Sequence, residues 1–215
     1  LESNRPDIHD QMVLGKGAWQ ETVAGIKNAV ASKLYLMTNT TLLEANAPYL
    51  EETLHFLGEL GVPTVGLNAL IYAGKGAGVN TGLPEEALHP LLNLAHKITG
   101  QYGQKLIWYT PTQYCHFDPV ETGFGVKGCT AAYYNMCVEP DGQVIPCQSY
   151  YQPIGHMLKD PWERIWNAPL ALSIRNRAYV SEECSRCAIL DVCGGGCPLA
   201  KEEFTPKAVM EKSWC

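Results

Sequence analysis

Four cysteines fall within fourteen residues, Cys184 to Cys197, in the order C-x2-C-x5-C-x3-C, and any fold for this chain must first find a place for those thiols. The sequence holds nine cysteines in 215 residues, and none precedes Cys115; the others are Cys129, Cys137, Cys147, Cys184, Cys187, Cys193, Cys197 and Cys215. A chain of this length, 46% hydrophobic, can bury a core without covalent staples. No apolar stretch approaches the roughly 18–20 residues of a membrane span, and no charged start followed by an apolar run suggests a signal peptide. The chain therefore reads as soluble and cytoplasmic, where thiols stay reduced and clustered cysteines point to metal rather than disulfides. A net charge of -6, without a basic run, argues against nucleic acid or an anionic membrane as partner and leaves small molecules and proteins.

Two four-thiolate zinc sites and two iron-sulfur cubanes would each use eight cysteines, so counting leaves both open. Spacing favours clusters. Zinc ribbons usually bring two C-x2-C pairs, and here there is one, Cys184 and Cys187. Cys193-x3-Cys197-Pro198 repeats the ending of two-cluster ferredoxins, in which the last cysteine crosses to the other cluster. The three glycines of "CGGGC" let backbone N–H groups approach a negatively charged cluster. Upstream, "CVEPDGQVIPC" predicts a hairpin whose Pro140-Asp141-Gly142 turn brings Cys137 near Cys147. Cys129, Cys137 and Cys147 then lack a fourth ligand, and Cys184, Cys187, Cys193, Cys197 and Cys215 have one too many. Moving Cys197 across balances both sets at four.

The first half has a different regularity. "KLYLMTNT", "TVGLNALI" and "KLIWYTP" are compact apolar strand candidates separated by amphipathic helices. Helical faces are formed by Trp19, Val23, Ile26 and Val30 in a leading helix, by Leu50, Leu54, Leu57 and Leu60, and by Leu88, Leu91, Ala95 and Ile98. Gly61 stops the second helix and Pro84 opens the third. The pattern is a β/α repeat with parallel strands, at most half of an eight-unit barrel, which takes about 250 residues. Asn39 and Asn68 fall at strand C-terminal ends, as do Glu2 and Ser3 if "LES" ends a strand; Asn in such places also serves as a turn or cap residue. "GKGAG", Gly74 to Gly78, lacks the phosphate-loop pattern and reads as a βα loop. His9 and Asp10 read equally as an acid/base pair or as a helix cap. Cys115 beside His116 reads as a buried thiol, and Trp162, Ile165, Trp166 and Leu170 as one helical core stripe.

Cys129-x12-Gly142-x4-Cys147, then Cys184-x2-Cys187-x5-Cys193-x3-Cys197 and a last Cys215, resembles the SPASM domain of radical S-adenosylmethionine enzymes. Less specifically, "LES…HD", "TNT" and "LNAL" resemble strand ends of the barrel in those enzymes. The resemblance implies an α/β fold: the C-terminal half of a partial (β/α) barrel in residues 1–124, then a small cysteine-rich α+β domain in 125–215 holding two auxiliary [4Fe-4S] clusters. It also implies that Ser3 and Asn39 lie near the ribose and amino-acid parts of S-adenosylmethionine.

The family's C-x3-C-x2-C loop, which binds the cluster that cleaves S-adenosylmethionine, is absent from the sequence. The chain is therefore expected to be a piece of a longer enzyme, which would carry S-adenosylmethionine and a third [4Fe-4S] cluster. Sulfatase-maturing members place a catalytic aspartate directly after the G-x4-C cysteine. Gln148 stands there instead and cannot act as a base, so the resemblance shifts towards modification of another peptide or protein, with a ferredoxin or flavodoxin as electron donor. The alternatives are a non-enzymatic iron-sulfur electron-transfer or binding module and a cofactor-biosynthesis radical enzyme.

Overall fold

The computed structural model describes residues 1–200, so Cys215 lies outside the described residues. The chain divides into two compact units that are interleaved in sequence. The first takes Leu1–Leu70, Thr81–Thr110 and Cys115–Gly125; the second takes Ile71–Asn80, Pro111–Tyr114 and the chain from Val126 onward.

In the first unit, β1 (Met37–Leu42), β2 (Thr64–Ala69) and β3 (Lys105–Trp108) form a parallel sheet in the order β1-β2-β3. Helix α3 (Leu50–Glu59) separates β1 from β2, and α4 (Glu85–Gln101) precedes β3. Alternation along each strand puts Thr38, Thr40, Leu42, Val65, Leu67 and Trp108 on one face. That face is buried with Leu50, Leu54, Leu57, Leu88, Leu92, Ala95 and Ile98 from α3 and α4. The opposite face carries Asn39, Thr41, Gly66, Asn68 and Ile107 in register and is polar; Asn39 and Tyr109 are exposed. Tyr109 lies across Gly66, where a Cβ would come within 2.8 Å of its ring.

Three expectations need adjusting. The first strand begins at Met37 rather than Lys33, because Lys33 adopts a left-handed φ of 56° and Leu34 and Tyr35 are exposed. The segment leading into it forms two helices, α1 (Pro6–Val13) and α2 (Ala18–Ala31), broken by left-handed Leu14 and Gly17. Asp10 decides its own ambiguity there: its carboxylate accepts from the Gly17 and Trp19 N–H groups at 2.6 and 2.8 Å, capping α2. The tryptophan stripe is split between α5 (Trp162–Trp166) and α6 (Pro169–Arg175), with Ile165 buried and Trp162 exposed.

The "LES" segment runs beside β1. The Leu1 amine donates to Asn39 O, Thr40 Oγ1 donates to Leu1 O, and Glu2 Oε2 accepts from Thr41 N–H. Asn46, 2% exposed, ties this edge down by donating from Nδ2 to Glu2 O and Thr41 O while its Oδ1 accepts from Leu43 N–H.

The second unit holds an antiparallel sheet in the order β4-β5-β6, from Cys137–Val138, Gln143–Ile145 and Gly155–His156. Its core gathers Ala131, Ala132, Val144, Tyr150, Ile165, Ala171, Ile174 and Leu199, and Cys129, Cys147 and Cys197 pack against it partly buried. Two short helices, α7 (Glu182–Ser185) and α8 (Leu190–Cys193), carry the later cysteines. Among the described residues no helix is long and apolar enough to cross a membrane.

His9, 3% exposed, accepts the Glu2 N–H at Nδ1, which puts the neutral ring's proton on Nε2, 3.4 Å from Thr22 Oγ1. Burial holds its pKa below the usual histidine value. As pH falls below about 6.5, the unfolded chain takes up this proton before the folded one does. Stability from His9 is thus full above that pH and declines towards the lower folded value. Guanidinium unfolding is expected to show a lower midpoint at pH 5 than at pH 8, with a smaller difference in His9→Asn; equal pH dependence in the two proteins would contradict this.

Candidate metal centre

The hairpin that carries Cys137 and Cys147 closes through Gly142, whose N–H donates to Glu139 O at 2.8 Å while Asp141 Oδ1 accepts from Gln143 N–H. Gly142 has φ 87°, and a Cβ there would meet the His156 ring at 2.6 Å, so both backbone and space call for glycine. Cys137 pairs with Ile145 across the ladder, two residues before Cys147. The Ala132 N–H donates to Pro146 O, which fastens the turn after Cys129 to the same end of the hairpin. Thr130 O accepts from the N–H groups of Tyr133, Tyr134 and Asn135, so that turn is wound tightly.

The sulfurs so placed form one electrostatic neighbourhood. Burial pushes the Cys129 thiol up to about 12, helped by the sulfurs of Cys197 and Cys147 and opposed by the Ala131 N–H. Burial likewise raises Cys147, with the Cys137 sulfur adding to it and the N–H groups of Ser149 and Tyr150 acting the other way. Cys129, Cys137, Cys147 and Cys197 are therefore brought together from three separate stretches of chain.

The later cysteines meet a different strip of backbone. Cys193, 8% exposed, accepts the Tyr114 N–H at 3.4 Å and lies 3.8 Å from Thr112 O. Cys184 Sγ accepts from Gln113 Nε2 at 3.7 Å, and the Cys184 N–H is capped by Ser181 Oγ. Cys187 is exposed and its N–H donates to Cys184 O. Cys215 lies outside the described residues.

Between the two sets the backbone comes close at a pair of glycines. A Cβ on Gly194 would stand 3.4 Å from Gly128 Cα and 3.6 Å from Cys129 N; one on Gly128 would stand 3.3 Å from Val192 O. Gly194, Gly195 and Gly196 all hold left-handed φ values, 70°, 76° and 84°, which only glycine adopts in succession without strain. A cavity of about 740 Å³ opens beside this contact, lined by Cys129, Tyr133, Tyr134, Arg175, Arg177 and Tyr179 among others.

The donor set fits an iron-sulfur cluster. Among the described residues no three Cys, His, Asp or Glu side chains converge closely enough for one metal ion. A cubane asks something else, one thiolate for each iron, and so spreads its ligands more widely than a single tetrahedral ion does. Buried thiols crowded together favour a cationic group that replaces their protons, and backbone N–H groups on sulfur stabilise the resulting negative charge.

Ser3 is 0% exposed with its Oγ accepting from Arg5 N–H, and Asn39 is on the open face of the parallel sheet. Asn68 donates to Thr41 Oγ1 at 3.0 Å on that face. His9 and Asp10 are both engaged in holding backbone. Cys115, read as buried, is exposed. Sequence reasoning missed Gln113 and Tyr114, which no spacing rule connects to cysteines some seventy to eighty positions later.

The family model for SPASM, an iron-sulfur cluster-binding domain, matches residues 129–188. This stretch is similar to a SPASM domain. The match spans Cys129, Cys137, Cys147, Cys184 and Cys187, the hairpin and the C-x2-C pair. The sporulation killing factor maturation protein SkfB of Bacillus subtilis is 22% identical over 176 residues, 80% of this chain and 40% of SkfB. An AdoMet-dependent heme synthase of Methanosarcina barkeri is 22% identical over 231 residues, 100% of this chain and 65% of the synthase. The chain thus spans 40 to 65% of the length of these relatives. Among solved structures, Streptococcus suis SuiB bound to S-adenosylmethionine superposes with a TM-score of 0.64 at 16% identity, covering 83% of this chain and 44% of SuiB. The structure of anSMEcpe with bound AdoMet and Kp18Cys peptide gives 0.63 at 12% identity, covering 98% and 61%. At such identities the structural likeness speaks for the fold: this chain shares its α/β architecture with these proteins.

Alanine at the hairpin turn tests the local geometry. Gly142→Ala is expected to destabilise the protein by about 1 kcal/mol or more, from the left-handed φ together with the His156 collision. An unchanged denaturation midpoint would contradict the turn as described.

Proposed function

We propose that this chain is the C-terminal part of a radical S-adenosylmethionine enzyme whose SPASM domain holds two auxiliary [4Fe-4S] clusters, serving electron transfer or substrate binding in peptide or protein modification. The observation that carries the proposal is the gathering of Cys129, Cys137, Cys147 and Cys197 sulfurs in one partly buried neighbourhood. In this reading those four hold one cluster, and Cys184, Cys187 and Cys193 hold the other together with Cys215. When bound, such clusters supply reversible one-electron storage at potentials set by burial and by hydrogen bonds to sulfur.

The protein's own part is to present and shield sulfur. The Ala131, Ser149 and Tyr150 N–H groups serve the first set, and Gln113 and Tyr114 serve Cys184 and Cys193. On the parallel sheet, the open polar face with Asn39, Thr41 and Asn68 is the side proposed for cofactor and substrate, with Asn39, and Ser3 at the neighbouring edge, the residues assigned to S-adenosylmethionine. Peptide modification is supported by the names of two similar proteins, a killing-factor maturation protein and anSMEcpe with its bound peptide. A second reading, cofactor biosynthesis, is favoured by the heme synthase, which matches 100% of this chain. Gln148, exposed directly after Cys147, offers no base for proton abstraction in either. Electrons would come from a ferredoxin or flavodoxin in a reducing, cytoplasmic setting. The C-x3-C-x2-C loop, S-adenosylmethionine and a third cluster belong to the proposed longer protein.

Anaerobic reconstitution of the 215-residue chain is expected to give about eight irons and eight sulfides; stoichiometric zinc without acid-labile sulfide would overturn the cluster assignment. Cys147→Ala and Cys197→Ala should perturb one paramagnetic signal, and Cys184→Ala and Cys215→Ala the other. A variant pair split between signals would refute the partition. The chain alone, lacking the three-cysteine loop, is expected to yield no deoxyadenosine from S-adenosylmethionine under strong reductant; yield above a cysteine-free control would relocate the catalytic cluster.

A further inference from the structure

Tyr179 belongs to no motif and is 7% exposed, yet it stands where the two cysteine sets meet. Its phenol O–H donates to Gly194 O at 2.7 Å, one residue after Cys193. Its ring edge lies 3.8 Å from the position a Cβ would take on Gly195, and Val180 presses on that same position from the same stretch of chain. On the other side Gly194 rests on the Gly128–Cys129 backbone. Two residues before Tyr179, Arg177 donates to Asp191 Oδ1 and Asp191 O, both at 2.9 Å. Arg177 and Tyr179 therefore grip the carbonyls of residues 191 and 194, on either side of Cys193.

Arg177 occupies a costly position to do this. It follows α6 with φ 56°, where helices commonly place glycine, and the Ala178 N–H reaches back to Ser173 O. An arginine there gives up roughly 1 kcal/mol in backbone preference.

We infer, resting on the two-cluster reading above, that Tyr179 is a positioning residue shared by both cysteine sets, locking the Gly194–Gly195 peptide so that its N–H is fixed relative to the sulfurs on either side. A trans peptide points its carbonyl and its following N–H in opposite directions. Holding Gly194 O on the phenol therefore fixes the Gly195 N–H away from the tyrosine. In a run of three left-handed glycines nothing in the side chains resists rotation of that peptide, so the phenol supplies the restraint.

The test uses the anaerobically reconstituted full chain and its Tyr179→Phe variant, which loses one oxygen. With circular dichroism showing the fold retained, iron and sulfide content should match wild type, and the reduction midpoints of both clusters, followed by electron paramagnetic resonance, should shift downward as the Gly195 N–H loses its fixed orientation relative to the sulfurs. Unchanged midpoints, or a shift in one signal alone, overturn the inference. Should the variant fail to fold, wild type decides: with both clusters reduced, their spectra should show mutual magnetic coupling across the shared wall, and independent spectra overturn it. Wild-type protein that takes up no cluster overturns the two-cluster reading itself, and this inference with it, an outcome separable from clusters that load normally and ignore Tyr179.

Discussion

Crowding thiols into a protein interior sets each against its neighbours, because burial disfavours every thiolate and each negative sulfur disfavours the next. Cys129, pushed up to about 12, records that conflict. The rest of the second unit follows from it. A tight turn fixed by Thr130 O, a hairpin closed by Gly142 and a backbone contact between Gly128 and Gly194 all force sulfurs to share space. Around them, backbone N–H groups offer what partial relief a protein can give without an ion. Such an arrangement makes physical sense for a site that receives a positively charged inorganic core.

The first unit solves a different problem with neutral groups. Parallel strands leave polar termini at one end of the sheet, and here side chains close them: Asn46 bridges Glu2 O and Thr41 O, and His9 meets the Glu2 N–H. Asp10 steadies the following helix. Asn46 and His9 hold the edge segment beside β1 while Asn39, Thr41 and Asn68 stay on the uncovered face. Rigidity at the rim and polarity on the open face are what a binding surface on such a sheet needs.

Much of this was legible in the sequence because it rests on local rules. The apolar spacing of Leu50, Leu54 and Leu57 and of Leu88, Ala95 and Ile98 marks α3 and α4, and Pro140-Asp141-Gly142 marks the hairpin. The cysteine spacing identified the SPASM domain that the family match covers. What escaped was set by contacts distant in sequence. Lys33 in a left-handed conformation delays β1, and no propensity argues for that in a lysine. His9 read with Asp10 as an acid/base pair or a helix cap and Asn46 carried no signal, and only the folded chain shows what they join. Tyr179 carried no signal, since its partner is a main-chain carbonyl that any residue possesses.

The interleaving of the two units has a consequence for biosynthesis. Gln113 and Tyr114 are made before the cysteines they serve, with Tyr114 79 positions ahead of Cys193, and they are separated from the rest of their unit by Cys115–Gly125, which belongs to the other. On the ribosome these donors must wait, already emerged, until the segment that carries Cys184 and Cys193 follows them out. Long-range closure of this kind comes late and slowly in folding. The sulfurs of Cys184 and Cys193 thus meet their donors only after some seventy to eighty further residues have been made, and the donor strip stays unsatisfied through that interval.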